Sequence, residues 1–202
     1  MHSVSESATK AAGSQPSRRE LTACRISECA QTLAVEHGLD GFTMDQLAEA
    51  AGVSRRTLFN YFGGKLEAVL GDGISPATVP HEEFVAGGPT GRLMDDIRAI
   101  AVRVVDDEAK DPDALARVHR LVRNEPRIHH ALHLRLKQVA DEFSDLILAR
   151  EGEGFDPARA RIAIQLVVAL FDMALDQFVA DPSRSLSEHF SRTFDTVHDL
   201  LR

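Results

Sequence analysis

Tryptophan is absent from this 202-residue sequence, tyrosine occurs once, and aromatic residues together make up 5%. A core cannot then be built around large rings, and its bulk has to come from Leu, Val, Ile and Ala, as in packed helices. Cysteine is scarce as well: Cys24 and Cys29 lie five residues apart in one predicted helix. That spacing suits neither a disulfide nor a metal pair, and a reduced, cytoplasmic interior is the simple expectation. Long apolar runs are lacking. The most apolar stretch, Ile162 to Leu175, is 14 residues. A membrane helix needs about 20, so no membrane partner is expected. The N-terminal MHSVSESATKAAGSQPS has no apolar h-region, which argues against a secretory signal, and residues 1–16 read as a disordered tail.

A basic excess is missing too, since the formal net charge is -8. The acidity is unevenly spread, however. Residues 18–65 carry six basic and six acidic side chains, whereas residues 66–202 carry sixteen basic and twenty-four acidic ones. An N-terminal segment of zero net charge permits contact with nucleic acid without requiring it.

What the sequence does have is helix-start signals. Ser17-Arg18-Arg19-Glu20, Thr43-Met44-Asp45-Gln46 and Ser185-Leu186-Ser187-Glu188 each match a capping box. In that motif a hydroxyl and a side-chain carbonyl or carboxylate satisfy two orphan amides reciprocally. Phe42 with Leu47, and Val53 with Leu58, sit at the positions of hydrophobic staples. Asp111-Pro112 and Asp156-Pro157 place an N-cap before a first-turn proline. Gly and Pro in residues 71–90 predict a loop or linker. Apolar periodicity beyond it predicts helices over 91–109, 113–123, 126–150, 157–179 and 186–201. The fold class is therefore all-α.

The stretch from Thr43 to Lys65, TMDQLAEAAGVSRRTLFNYFGGK, holds two short helices joined by Ala51-Gly52-Val53, the shape of a helix-turn-helix. With Ser54 as cap, Arg55, Arg56 and Thr57 fill the first turn of the second helix. A recognition helix meets base edges with that turn, and the Arg fork suits guanine O6 and N7. Cations at a helix N-terminus oppose the helix dipole slightly, so their placement there points to an anionic partner. Thr43, Thr57, Asn60 and Tyr61 can donate to phosphate oxygens, and Lys65 adds a cation just past the motif.

From Ala30 to Leu70 the chain resembles the N-terminal DNA-binding domain of the TetR family of bacterial repressors. The parts match in order: a Gly-containing turn after the first helix, Phe42-Thr43, Leu47-Ala48, Ala51-Gly52-Val53-Ser54, and Tyr61-Phe62 followed by Lys65. The resemblance implies that Arg55, Arg56 and Phe59 face bases, and that Thr43, Thr57, Asn60, Tyr61 and Lys65 face phosphates. It further implies an all-α homodimer that binds a palindromic DNA operator and is released by a small-molecule effector. Residues 17–70 would form the three-helix DNA-binding domain, and residues 91–202 a helical ligand-binding and dimerisation domain. One departure stands out. Gly63-Gly64 opens the next helix without a polar side-chain cap, and Gly71-Asp72-Gly73 with Pro76 ends it early.

The family places a dimer interface in the last two helices, and the breadth of apolar surface on 162–178 is hard to bury within one subunit. Residues 157–179 and 186–201 are assigned to it. An effector is expected among the helices of 91–179, with Phe143, Gln165, Phe171, Asp172 and Met173 as candidate lining residues. His119, His129, His130 and His133 invite a metal-enzyme reading, with His129 and His133 one helical turn apart. No Cys lies near them and no carboxylate of the HExxH kind stands between them. Neither a metal, another cofactor nor a catalytic step is therefore expected. A DNA-binding activator or architectural protein without an effector would use the same motif.

Overall fold

The structure, a computed structural model, describes residues 17–71, 81–108 and 111–200. It is all-α, with no strand among the described residues. The tail expected over 1–16 lies outside the described residues.

Three local devices set the first helices. In α1 (Arg18–His37) the Ser17 hydroxyl accepts from the Glu20 amide at 3.2 Å, and Ser17 N–H donates to the Glu20 carboxylate at 2.6 Å. In α2 (Met44–Ala50) the same exchange joins Thr43 and Gln46, at 3.2 and 2.8 Å. α3 (Arg55–Tyr61) starts on Ser54, whose hydroxyl accepts the Thr57 amide at 3.0 Å. Between α2 and α3 the chain reverses at Gly52, whose φ of 62° suits a residue without Cβ. α4 (Lys65–Leu70) follows, six residues long.

The helices close on a core in which Ile26, Ala30, Leu47, Leu58, Ala68 and Val69 are fully buried. Burying one such Leu or Ile contributes about 1.5–3 kcal/mol, more than a seven-residue helix gains from its own hydrogen bonds. The cluster also takes in Leu121 and Ile128. These come from α7 (Pro112–Asn124) and α8 (Pro126–Glu151).

The rest of the chain is a helical bundle. α8 packs on α9 (Pro157–Ala180), and α10 (Leu186–Leu200) packs on α9 and on α6 (Leu93–Glu108). The start signals hold here: Asp111 caps α7, Asp156 caps α9, and Ser185 exchanges hydrogen bonds with Glu188 at 2.8 and 3.2 Å. The stretch expected as a loop is partly helical. Residues 72–80 lie outside the described residues, but His81–Val85 forms α5. Tertiary contact rather than local propensity explains it. Phe84 is buried in the α6–α8–α9 cluster, and Arg150 donates to the carbonyls of Phe84, Gly87 and Gly88.

The 14-residue run is part of a longer element. α9 has 24 residues and, by length and composition, is apolar enough to cross a membrane. It also carries Arg159, Arg161, Asp172 and Asp176, and its buried face packs on α8 and α10.

Candidate nucleic-acid interface

Leu58 is the anchor of the site. It is fully buried, and it pins α3 so that the opposite side of the helix faces outward. Arg55, Arg56, Phe59 and Asn60 are exposed there, Phe59 at 44% of its surface. An exposed ring on a helix already flanked by two guanidinium groups is a feature that burial does not explain.

The two arginines differ. Arg55 reaches across to α2, with Nη1 3.1 Å from the Asp45 carboxylate and its guanidinium 5.6 Å from the Phe59 ring centroid. Both partners of the Arg55–Asp45 pair are exposed, so the pair orients the side chain more than it stabilises the fold. Arg56 has no such ion pair among the described residues. On the flanks, the Thr57 hydroxyl shares a 2.7 Å hydrogen bond with Ser54, and Thr43 is exposed at the start of α2. Arg19 stacks on the Tyr61 ring at 5.1 Å, so one edge of α3 gains a third guanidinium, supplied by α1. Sequence reasoning placed Arg19 in the capping box that opens the first helix and gave it no part in this surface. Its place in α1, after a capping box, was the available signal.

Lys65, expected to face phosphate, is committed elsewhere. Its ammonium donates to the Leu39 carbonyl at 2.6 Å and the Phe42 carbonyl at 2.9 Å, and sits 5.0 Å from the Phe42 ring centroid. It ties the α1–α2 turn to the start of α4. Lys65→Met leaves two partly buried carbonyls unmet and is expected to cost about 1–3 kcal/mol of stability. A urea midpoint unchanged from the parent protein contradicts this structural role. The uncapped start of α4 is observed, and Glu67 compensates by accepting the Gly63 amide at 2.6 Å.

In the bundle an apolar cavity lies beside a larger pocket that opens to the surface. One of about 100 Å³ is lined by apolar residues alone, among them Phe143 and Phe171. The other, about 420 Å³, is lined by Gln165, Phe171 and Asp172 together with His119, His129, His133 and Arg135. Leu136, Val139, Val168 and Phe171 border both. Met173 lines neither. It is 51% exposed on the outer side of α9, because an almost uniformly apolar helix gives periodicity no means to choose its inner face.

The histidines are not brought together as ligands. His119 Nε2 lies 2.7 Å from the Asp176 carboxylate, which also accepts from Arg123 at 3.2 Å. His130 is exposed, and no group of three His, Cys, Asp or Glu side chains converges among the described residues. Sequence reasoning missed Arg135, whose Nη1 donates to the Gly71 carbonyl at 2.7 Å. Its place next to Leu136, within the apolar periodicity of residues 126–150, was the signal.

Residues 26–69, which contain this whole arrangement, match the family model described as bacterial regulatory proteins, tetR family. Over 55 residues the chain is 42% identical to the putative mycofactocin biosynthesis transcriptional regulator MftR of Mycobacterium tuberculosis. That match spans 27% of this chain and 28% of the relative. Across 95% of its length it is 26% identical to the HTH-type transcriptional repressor AcnR of Corynebacterium glutamicum, covering 97% of that protein. The fold matches that of Thermus thermophilus FadR, a TetR-family transcriptional repressor solved in complex with lauroyl-CoA. The two share 24% identity and a TM-score of 0.50, over 88% of this chain and 92% of that one. With a helix-turn-helix of this build within residues 26–69 and an all-α architecture among the described residues, the chain carries a DNA-binding domain of the TetR type and is similar to bacterial transcriptional regulators of that family.

Proposed function

We propose that the protein is a cytoplasmic repressor that binds a palindromic operator as a homodimer and leaves it when a small molecule occupies the inner cavities. The observation that carries the DNA reading is the outward face of α3, where Arg55, Arg56 and Phe59 project from a helix held by Leu58 and capped by Ser54. Arg55, Arg56 and Phe59 read bases, and Thr43, Thr57, Asn60 and Tyr61 meet phosphates. Lys65 supports that surface from behind. Residues 17–70 form the DNA-binding unit, and residues 91–202 the effector and dimerisation unit. Regulators of this kind act by binding, and no reaction is assigned to the chain.

Support for the dimer comes from α9 and α10. Ile162 is 63% exposed and Met173 51%, and an apolar groove of about 400 Å³ runs past Leu93, Ile162, Leu166, Phe194 and Val197. An apolar face of this kind on residues 157–179 and 186–201 suits an isologous contact. A two-fold axis there would set two α3 helices one DNA turn, about 34–36 Å, apart.

Selection of bound DNA from a random pool tests the proposal. A palindrome is the expected product; sequences without two-fold symmetry contradict the dimer, and failure to enrich any sequence contradicts the operator. At the selected site, Arg55→Ala and Arg56→Ala are each expected to cost about 1–3 kcal/mol of binding and to relax base preference. Arg56→Ala is the cleaner probe, since it breaks no ion pair among the described residues.

A further inference from the structure

Arg135 stands where the larger cavity meets the end of α4. Its Nη1 donates to the Gly71 carbonyl at 2.7 Å and, at 3.4 Å, to that of Leu70. Carbonyls at the end of a helix have no partner within it, so this guanidinium closes the C-terminus of α4 from α8. The same side chain lines the 420 Å³ cavity. One group therefore touches both the effector space and the helix that follows α3.

The cavities are chemically polarised. The 100 Å³ space is bounded by apolar side chains alone. An engineered apolar cavity of about 150 Å³ stays dry and takes up benzene, so this end favours hydrocarbon over water. The larger space gathers the charge. His119 is already paired with Asp176. His129, His133 and Arg135 come from α8, and Asp172, the acidic lining residue, from α9. The fixed cation on the α4 side is thus Arg135, and its present partners are neutral carbonyls. A carboxylate adds the attraction of a full opposite charge and a bidentate fit to the fork, which a neutral carbonyl cannot offer, so one arriving there displaces those carbonyls.

We propose that the effector is an amphipathic anion, a hydrocarbon tail bearing one carboxylate. Its tail enters the apolar cavity, and its head group takes Arg135 from Leu70 and Gly71. The six-residue α4 then loses its tether to α8 while keeping its packing on α1, and the shift reaches α3 through Phe62-Gly63-Gly64. This inference rests on the reading of the protein as an effector-released repressor.

Titration calorimetry of the full chain with decanoate, 1-decanol and decylamine tests the ligand class, and operator binding with and without decanoate tests the release. Decanoate is expected to bind about tenfold more tightly than decanol, the difference between an ion pair with Arg135 and a contact to a neutral hydroxyl. It is also expected to weaken operator binding by about 5–150-fold. Arg135→Met removes the preference for decanoate, and Arg135→Lys retains part of it, which separates loss of the charge from misfolding. Four results each overturn the proposal: equal binding of acid and alcohol, tighter binding of the amine, undiminished decanoate binding by Arg135→Met, or decanoate binding that leaves operator affinity unchanged. A protein with no operator sinks the repressor reading instead, while the calorimetry still decides whether the anion site exists.

Discussion

Replacing Arg150 with Met is expected to cost about 3–5 kcal/mol of folding stability at neutral pH, the cost of breaking a buried ion pair from one side. Arg150 and Asp96 are 3% and 0% exposed, and Nη2 lies 2.5 Å from the Asp96 carboxylate. The same guanidinium donates to Phe84, Gly87 and Gly88, so it holds α5 and the turn before α6 onto α8. Methionine supplies the volume and none of the donors.

The pH dependence carries a sign. Burial pushes the Asp96 carboxyl up, but the Thr90 hydrogen bonds and Arg150 outweigh it and hold the group below its ordinary value. Asp96 thus contributes stability that is present above the unfolded pKa and lost as pH falls through the depressed folded value. Without Arg150 the folded value climbs, so acid relieves the variant first. The stability gap between parent and Arg150→Met should narrow as pH drops through the carboxylate range. Urea midpoints at several pH values measure it, and a gap that stays constant or widens in acid contradicts the buried-pair account.

The second large effect is expected at Leu58→Ala, at about 2–5 kcal/mol. Leu58 is fully buried and is the one buried side chain of α3, a helix of seven residues. A helix that short has little stability of its own, so removing its anchor frees the whole recognition surface. Denaturant unfolding reads the stability loss, and operator binding should fall with it although no DNA-facing group has changed. Leu58→Met, which nearly conserves volume, should cost less than about 1.5 kcal/mol. Arg56→Ala provides the opposite pattern, with stability within about 0.5 kcal/mol of the parent and binding impaired. If Leu58→Ala retains both stability and binding, the packing argument for α3 fails.

These two residues illustrate what the sequence could and could not disclose. Leu58 was legible, because Ser54, Val53 and the turn at Gly52 act within four residues of one another. The capping boxes at Ser17, Thr43 and Ser185 were legible for the same reason. Arg150 was not, because Asp96 and the carbonyls it holds lie 54 to 66 residues away, and no spacing rule links them; only Glu151, its neighbour in sequence, is local. Distance likewise hid the partners of Lys65, whose carbonyl acceptors are 23 and 26 residues upstream. α5 was hidden by composition: a five-residue helix in a Gly- and Pro-rich stretch exists because Phe84 is buried, which local propensity does not record. Phe143 and Phe171 are partly buried and line the cavities, Gln165 and Asp172 line the larger one from exposed positions, and Met173 lines neither.

The shared core of the first helices with Leu121 and Ile128 bears on any attempt to build chimeras from this regulator. Regulators of modular design invite transplantation, one reading head fitted to a foreign sensor. Here the cut after residue 71 would open a hydrophobic seam, and it would sever the bidentate bond, 2.9 Å in each arm, from Arg127 to Asp40. A working graft would have to carry the adjoining ends of α7 and α8 with it, or rebuild their apolar contacts in the recipient.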